Sequence, residues 1–575
     1  MRAFAARYWV NYGIAAAMLL TIVFLNAWIP KRVGELVDML ASRPGANKML
    51  IASMSLVVAA VIIYILRAGW RLFLFRAVLR LGIELRTSLY RQLMLQTAAF
   101  YQERSTGDLM AAATNDIDAI EAAAGEGALA GFDGTSTLVI MISVLVINVD
   151  WRLAIAVLLP FPIMALAFKY ISDHIHKASK DSLDAFGKLN SHAQETLAGI
   201  RTVRAVGLID RSEAEFAIHA NQAASTSLRV QQWEAAYEPA VGNCLVFSTV
   251  ISLSVGSWLV WQNQLSLGQL TSIGLYLGQL IWPMFALGYV MSLMQRGKAA
   301  WERLEPILNA SIQVIDAGTQ TTISKAAITF KDVSFAHPGQ AALALSKISI
   351  DLIAGQSLGV VGATGAGKST LFKLLLRQWN PQDGDITWDG LPIDQLTLAT
   401  LRQGIAWVAQ EPFLFSATIA QNIALSKPDA TLQEIIRAAQ LAAVHDDIMR
   451  LSNGYQTPVG ERGVTLSGGQ KQRLAIARAL LVQAPLLLLD DALSAVDTGT
   501  EAQILAHLRL ARQQRGQSAI VISHRLSAVM DCDQIVVLRR GQVTERGSHT
   551  TLLALNGWYA RQWQYQQLQT SLSDL

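Results

Sequence analysis

Gly362, Ala363, Thr364, Gly365, Ala366, Gly367, Lys368, Ser369 and Thr370 form a glycine-rich stretch that ends in a lysine and two hydroxyls. Glycines let backbone N–H groups close on phosphate oxygens, the lysine brings a positive charge to them, and the hydroxyl beside it suits a hard divalent cation. Further along, Leu466, Ser467, Gly468, Gly469 and Gln470 read as the start of a helix. Ser467 is a natural N-cap there, and a capped helix start with its partial positive charge is an anion receptor. Nothing in its own half is placed by sequence to fill that receptor, so a phosphate held by a second subunit is expected. The run Leu486–Asp490 is continuously apolar and ends in a carboxylate, followed by Asp491. Together these residues predict nucleotide phosphate chemistry assisted by magnesium.

Particular elements must position such a site. Ser357–Val361 reads as a buried strand and Thr370–Trp379 as a helix, so the glycine-rich loop lies in the strand–loop–helix context that a phosphate cradle needs. Lys368 is then expected on the β- and γ-phosphates and Ser369 on Mg2+. The alternative is an ordinary glycine-rich turn. Leu486–Asp490 reads as a central parallel strand delivering Asp490 to the metal. The helix begun at Ser467 continues through Lys471–Leu481, and shorter β-rich runs lie at Ala327–Phe335 and Ser346–Leu352.

The rest of the 575-residue chain has a different character. Hydrophobic residues reach 52%, charged ones only 16%, and the mean hydropathy is +0.33. The excess lies in the first half as six runs long enough for a bilayer: Tyr12–Ile29, Met49–Leu66, Phe132–Val149, Leu153–Ile171, Val241–Trp261 and Thr271–Leu293. The first is read as a retained span, since no small-residue cleavage site follows it. Arg67, Arg71, Arg76, Arg80, Arg86 and Arg91 follow the second run, and Lys169, Lys177, Lys180, Lys188, Arg201 and Arg204 follow the fourth. By the positive-inside rule both stretches, the N-terminus and the soluble half are cytoplasmic. The loop with Lys31, Arg32, Arg43 and Lys48 against Glu35 and Asp38 runs against that trend. The two long cytoplasmic stretches read as helical levers, with tips near Thr106, Gly107 and Asp108 and near Gly207–Asp210. A net charge of +4 without a basic tail gives no footprint for nucleic acid, and Cys244 and Cys532 are too separated in context for a structural disulfide.

On these residues the soluble half resembles an ABC-transporter nucleotide-binding domain. The whole chain resembles an ABC exporter half-transporter of the type IV fold. The implied fold class is a six-helix transmembrane domain over residues 1–310, a linker over 311–324, and an α/β P-loop nucleotide-binding domain over 325–575. The resemblance makes Gly362–Ser369 the Walker A motif, Asp490 the Walker B aspartate and Leu466–Gln470 the signature. It implies a Q-loop glutamine at Gln410 that meets the metal, an X-loop at Glu461, a D-loop over Ser494–Asp497 and a switch histidine at His524. Phe100–Leu109 and Glu195–Gly207 resemble the coupling regions, and Ala124–Gly127 and Tyr276–Pro283 are most similar to the Mdl/Smd multidrug half-transporters of bacteria. ATP and Mg2+, residence in the bacterial cytoplasmic membrane, membrane lipid as surroundings, and amphiphilic small molecules as cargo are implied with it.

Two positions depart from that pattern. His337 stands where the family usually stacks a tyrosine on adenine, which predicts weaker nucleotide binding; a surface histidine before a turn proline is the alternative. Asp491 stands where active members carry the glutamate that orients the attacking water. Its carboxylate is one methylene short, so the Walker A site of this chain is expected to bind ATP and hydrolyse it slowly. An intact signature beside it predicts a heterodimer with a glutamate-bearing half. Tyr276, Gln279, Trp282, Met284 and Tyr289 around Pro283 either face a substrate cavity or pack a kinked helix. Asp133 either neutralises a cationic substrate or is an interfacial carboxylate. Lipid flipping, or a regulatory ATP-binding role without transport, are the other functions the sequence leaves open.

Overall fold

The computed structural model describes residues 2–42, 46–148, 150–460, 463 and 466–573. Arg43 of the first outer loop and Glu461 of the X-loop therefore lie outside the described residues. The chain forms two compact units, Met1–Met94 with Thr106–Ala310, and Leu95–Ser105 with Ser311–Leu575.

Among the described residues the first unit holds six helices long and apolar enough to cross a membrane: Arg7–Leu40, Asn47–Met94, Thr106–Ile147, Trp151–Ala198, Ile209–Trp261 and Leu267–Leu308. A bilayer needs only ~20 residues, so the surplus extends the helices into levers; at 1.5 Å per residue the second is about 70 Å long. Pro30 sits inside the first helix and has no N–H to give the carbonyl of Asn26. Gln279 of the sixth span supplies that bond through Nε2 at 3.0 Å, and Tyr276 donates to Ala27 O at 2.9 Å. Both residues thus face the first helix, and Tyr276 is fully buried. Their polar groups serve the packing of the sixth span on the first helix. Arg86 ties the second helix to Asp118 and Glu121 of the third at 2.5 and 2.6 Å, while Arg303 forks onto Asp116 at 2.5 and 3.1 Å. The third span carries two π-helical turns, Ala112–Asp116 and Ala123–Gly127. The lever tip Ile200–Val206 has no buried residue, and Gly207 ends it in the left-handed conformation.

In the second unit, β1 (Ile328–Phe335), β2 (Leu345–Leu352), β4 (Asp383–Trp388) and β5 (Leu391–Pro392) form an antiparallel sheet in the order β2-β1-β4-β5. The larger sheet contains β3 (Ser357–Gly362), β6 (Ile405–Val408), β7 (Leu486–Asp490), β8 (Ser518–Ile522), β9 (Gln534–Arg539) and β10 (Gln542–Gly547), ordered β10-β9-β3-β8-β7-β6. All its pairings are parallel except the β9–β10 hairpin. β3, β7 and β8 are buried at every residue, which is why their sequences are unbroken apolar runs and do not alternate. The segment Leu95–Ser105 joins this unit through the short helix Ala98–Glu103. Ala99 and Phe100 are buried, Ala98 packs on the hydrophobic core shared by the two sheets, and Thr97 donates to Gln313 at 2.9 Å. Residues 311–324 lie along the same unit, with the amides of Thr319 and Gln320 on Gln395 O at 3.0 and 3.1 Å.

Candidate functional site

Register explains why distant motifs meet. Val360 of β3 and Asp490 of β7 both pair with Ile522 of β8, and Val408 of β6 pairs with Leu489. The carboxyl ends of four neighbouring parallel strands therefore deliver the phosphate loop, Gln410, Asp490 with Asp491, and His524 to one edge. That edge is where open α/β sheets place ligands.

The helix expected over Thr370–Trp379 runs from Lys368 to Leu375. It stops early because Arg377 adopts a left-handed conformation (φ +47°), which turns Trp379 back to stack on Phe335 at 5.3 Å. Gly367 immediately before it has φ +97°, and a Cβ there would meet Ala344 O at 2.5 Å, so only glycine closes the loop. Gly362 opens the loop at the end of β3, Ala366 is buried, and Ala363, Thr364 and Gly365 form its exposed rim. Lys368 is 6% exposed and donates to Gly362 O at 2.9 Å and Ala363 O at 3.0 Å. Burial pushes its amine below the usual lysine range, while Asp491 and Asp490 pull it back. Ser369 Oγ donates to Asp490 Oδ1 at 3.0 Å. Burial pushes the Asp490 carboxyl upward and that hydrogen bond opposes the rise. A hydroxyl, a carboxylate and the amide oxygen of Gln410, which follows β6, are the hard oxygen donors that magnesium takes. His337 lies against this helix. Its Nε2 is 3.5 Å from the Thr370 hydroxyl, its ring meets Trp379 edge-on at 4.7 Å, and burial and then Lys373 push its pKa below the ordinary value.

Asp491 is buried, with a left-handed backbone (φ +48°) that few non-glycine residues tolerate. Its amide donates to Ile522 O at 2.9 Å, and its Oδ1 accepts the amide of His524 at 3.3 Å. The carboxylate thus touches the switch segment directly.

Ser467 N-caps the helix Gly468–Val482 with a full capping box: the Gln470 amide donates to its Oγ at 3.3 Å and its own amide donates to Gln470 Oε1 at 3.0 Å. Leu466 packs at the edge of the larger core. Gly469 sits so close to the D-loop that a Cβ would lie 2.9 Å from Ala495 O. Asp497 ends the D-loop by capping the helix Thr498–Arg515, and the amide and hydroxyl of Thr500 hold its carboxyl below the usual range. Thr106, Gly107 and Asp108 open the helix Thr106–Ala111 in the membrane unit, whereas the preceding Leu95–Ser105 belongs with the nucleotide unit.

Four residues of this site carry no motif signal. Gln472 donates to Ser494 Oγ at 3.0 Å and accepts from Ala495 N at 2.9 Å, fastening the D-loop to the signature helix. Arg525, next to the switch histidine, pairs with the buried Glu501 and donates to Val496 O at 3.2 Å and Ser494 O at 3.3 Å. Gln566 of the C-terminal helix clamps the switch segment, donating to His524 O at 2.8 Å and accepting from Leu526 N at 2.9 Å.

A P-loop at the edge of a parallel sheet, a capped signature helix and six membrane-spanning helices define a membrane-embedded ATP-binding transporter. The chain belongs to the ABC transporter family, as an exporter half-transporter: the model of the ABC transporter transmembrane region matches residues 9–284 and that of the ABC transporter domain matches 345–494. The multidrug resistance-like ATP-binding protein MdlA of Escherichia coli K12 is 43% identical over 575 residues, covering 99% of this chain and 96% of that protein. The probable multidrug resistance ABC transporter ATP-binding/permease protein YheI of Bacillus subtilis is 37% identical over 570 residues, covering 99% and 97%. The ATP-dependent lipid A-core flippase of Pectobacterium atrosepticum is 33% identical over 480 residues, covering 83% and 82%. Among solved structures, that of a bacterial Atm1-family ABC exporter with ATP bound superposes with a TM-score of 0.77 at 29% identity, covering 98% of this chain and 99% of that one. The chain is thus an ATP-binding ATPase of the bacterial inner membrane that drives export, with its nucleotide-binding domain in the cytoplasm.

Proposed function

We propose that this chain exports amphiphilic small molecules as one half of a heterodimer, and that its own Walker A site turns over slowly. The observation that carries the reading is Asp491 beside an intact, well-capped signature. The chain can complete a competent site on a glutamate-bearing partner while its own attacking water lacks a carboxylate of full reach. In this reading Mg2+ is held by Ser369, Gln410 and Asp490, and His524 senses the γ-phosphate. His337 flanks the adenine, and Thr106–Asp108, Glu461 and Asp497 belong to the coupling path. The lever tip Ile200–Val206, with no buried residue, is consistent with docking on a second subunit. The domain limits at 310 and 324 are part of the same proposal.

The test is to purify the chain alone and with a glutamate-bearing half-transporter and to compare ATP turnover and solute flux in inside-out vesicles. Slow turnover alone and fast turnover in the pair is the expected result; a lone chain as fast as the pair refutes it. The flippase relatives at 33% identity favour one second reading, lipid as the cargo. Flux of labelled amphiphile against labelled lipid in proteoliposomes separates the two.

A further inference from the structure

We propose that Gln566 is a positioning residue for ATP hydrolysis: through it the C-terminal helix Trp558–Ser573 sets the peptide that carries His524. The inference rests on the reading of His524 as the γ-phosphate sensor and adds a residue and an element that act through it.

β8 ends at Ile522, and a short 3₁₀ turn begins at Leu526. The peptides between belong to neither element, so their N–H and C=O groups need partners from elsewhere. Side chains supply them. The His524 amide donates to Asp491 Oδ1 at 3.3 Å. Its carbonyl accepts Gln566 Nε2 at 2.8 Å, and the Leu526 amide donates to Gln566 Oε1 at 2.9 Å. A primary amide carries donor and acceptor in one plane, so Gln566 holds this segment as a neighbouring strand would. The exposed His524 ring is thus aimed by two side chains, one on the carboxylate after the Walker B aspartate and one forty-two residues further along the chain. An imidazole Nε2 lies roughly 4.5 Å from its Cα, so a peptide rotation of about 20° displaces it by about 1.5 Å. Misplacement of ~1 Å at a reacting group costs on the order of a hundredfold in rate.

A clamp positions its target only if its own base is fixed, and this one is. The Glu545 carboxylate on β10 accepts the amides of Trp558 at 2.5 Å and Tyr559 at 3.1 Å. That satisfies two of the open N–H groups at the helix start and sets a negative charge at its positive end. A Cβ on Gly557 would meet Glu545 Oε1 at 2.4 Å, so glycine makes the room for this cap. Tyr559 is fully buried with its hydroxyl 2.7 Å from His549 Nδ1, and the His549 ring meets Trp563 edge-on at 4.7 Å. Tyr559 and Leu526 of the switch segment belong to one hydrophobic core, against which Trp558 and Trp563 also pack. Gln566 stands one turn beyond Trp563 on the same helix face, whereas Tyr565 and Leu568 are exposed. The helix therefore turns its anchored face, and Gln566 with it, to the switch.

The experiment uses the full-length chain in nanodiscs and reads single-turnover ATP hydrolysis together with affinities for ATP, ADP and the transition-state analogue ADP–vanadate. The variants are Gln566→Met, Gln566→Glu, Tyr565→Ala and His524→Ala. Gln566→Met keeps the volume and loses both hydrogen bonds; turnover and ADP–vanadate affinity should each fall about tenfold, with ATP and ADP affinities within about twofold of wild type. Tyr565→Ala, the exposed neighbour, should leave all four readings within about twofold. Gln566→Glu separates positioning from packing. Ionised, it keeps the acceptor and sets a charge against the His524 carbonyl; protonated, its O–H restores the donor. Its rate relative to wild type should therefore rise at least about twofold as the pH falls from about 8 to about 5.5. Gln566→Met at the wild-type rate, or with ATP and ADP affinities falling as far as that for ADP–vanadate, overturns the positioning role. Should Gln566→Met not fold, the pH profile decides, and a flat ratio of Gln566→Glu to wild type overturns it. His524→Ala at the wild-type rate refutes the sensor reading; a slow His524→Ala beside an unaffected Gln566→Met refutes the clamp alone.

Discussion

Replacing Asp491 by glutamate tests the water-activating step at the position where the chain departs from its family. The added methylene advances the carboxylate by about 1.5 Å. Misplacement of ~1 Å at a reacting group costs on the order of a hundredfold in rate, or about 2.7 kcal/mol of barrier. Asp491→Glu in the lone chain should therefore raise single-turnover ATP hydrolysis by roughly two orders of magnitude. Asp491→Asn should stay near wild type, since the aspartate already contributes little. A cost accompanies the gain. The left-handed backbone and the bond from the His524 amide suit a short side chain, and losing that bond costs about 1 kcal/mol, which lowers the melting temperature by about 2–4 °C. In the assembled pair the same change should alter steady-state turnover less than twofold, because the partner's site sets the rate there. Quench-flow on the purified chain, with ATP affinity measured in parallel, reads all of this. A glutamate variant no faster than wild type at equal ATP occupancy refutes the reasoning.

Arg525→Ala leaves Glu501 as a buried carboxylate without its partner. With part of the 3–5 kcal/mol typical of such a loss screened at the half-exposed arginine, ~2 kcal/mol of destabilisation is expected by calorimetry. The freed D-loop should slow turnover at the partner's site while ATP binding at this chain's Walker A is unchanged. Gly469→Ala pushes a Cβ to 2.9 Å from Ala495 O. Partner-site turnover should fall at least tenfold, the signature of a ~1 Å shift in aligned groups, with no change in ATP binding by the lone chain. Gln566→Ala removes two hydrogen bonds from the switch segment. It should cost about 2 kcal/mol and lower kcat without raising KM for ATP, read by steady-state kinetics of the pair.

The candidate phosphate loop was legible because its chemistry tolerates almost no variation in spacing: glycines where backbone must approach, then a lysine and a serine in the first turn of a helix. The fully buried strands were equally visible, since Leu486–Asp490 has no polar face to alternate with. What the sequence hid was set by topology. Arg525 and Glu501 meet because β8 lies beside β7, which no local pattern announces. The polarity of Tyr276 and Gln279 could not reveal which way they face; the carbonyl left open by Pro30, far earlier in the chain, decides it. The same span shows the opposite outcome further on, where Trp282, one turn later, and Tyr289, nearly three turns later, donate to carboxylates instead. Ala98–Glu103 gave only a small apolar patch and no period long enough to say what it rests on.

That short helix has a consequence for biogenesis. Through Ala98 it packs against a hydrophobic cluster that contains Phe330, Ile386 and Trp388, all synthesised more than two hundred residues later. At 5–20 residues per second a ribosome needs some tens of seconds to make them. Through that interval Ala98 lacks the cluster it packs on while the spans on either side are already being inserted, and a soluble fragment cut from residue 311 onward would lack this contact. Joining such a fragment to a peptide of residues 95–105 is then a direct way to recover its solubility.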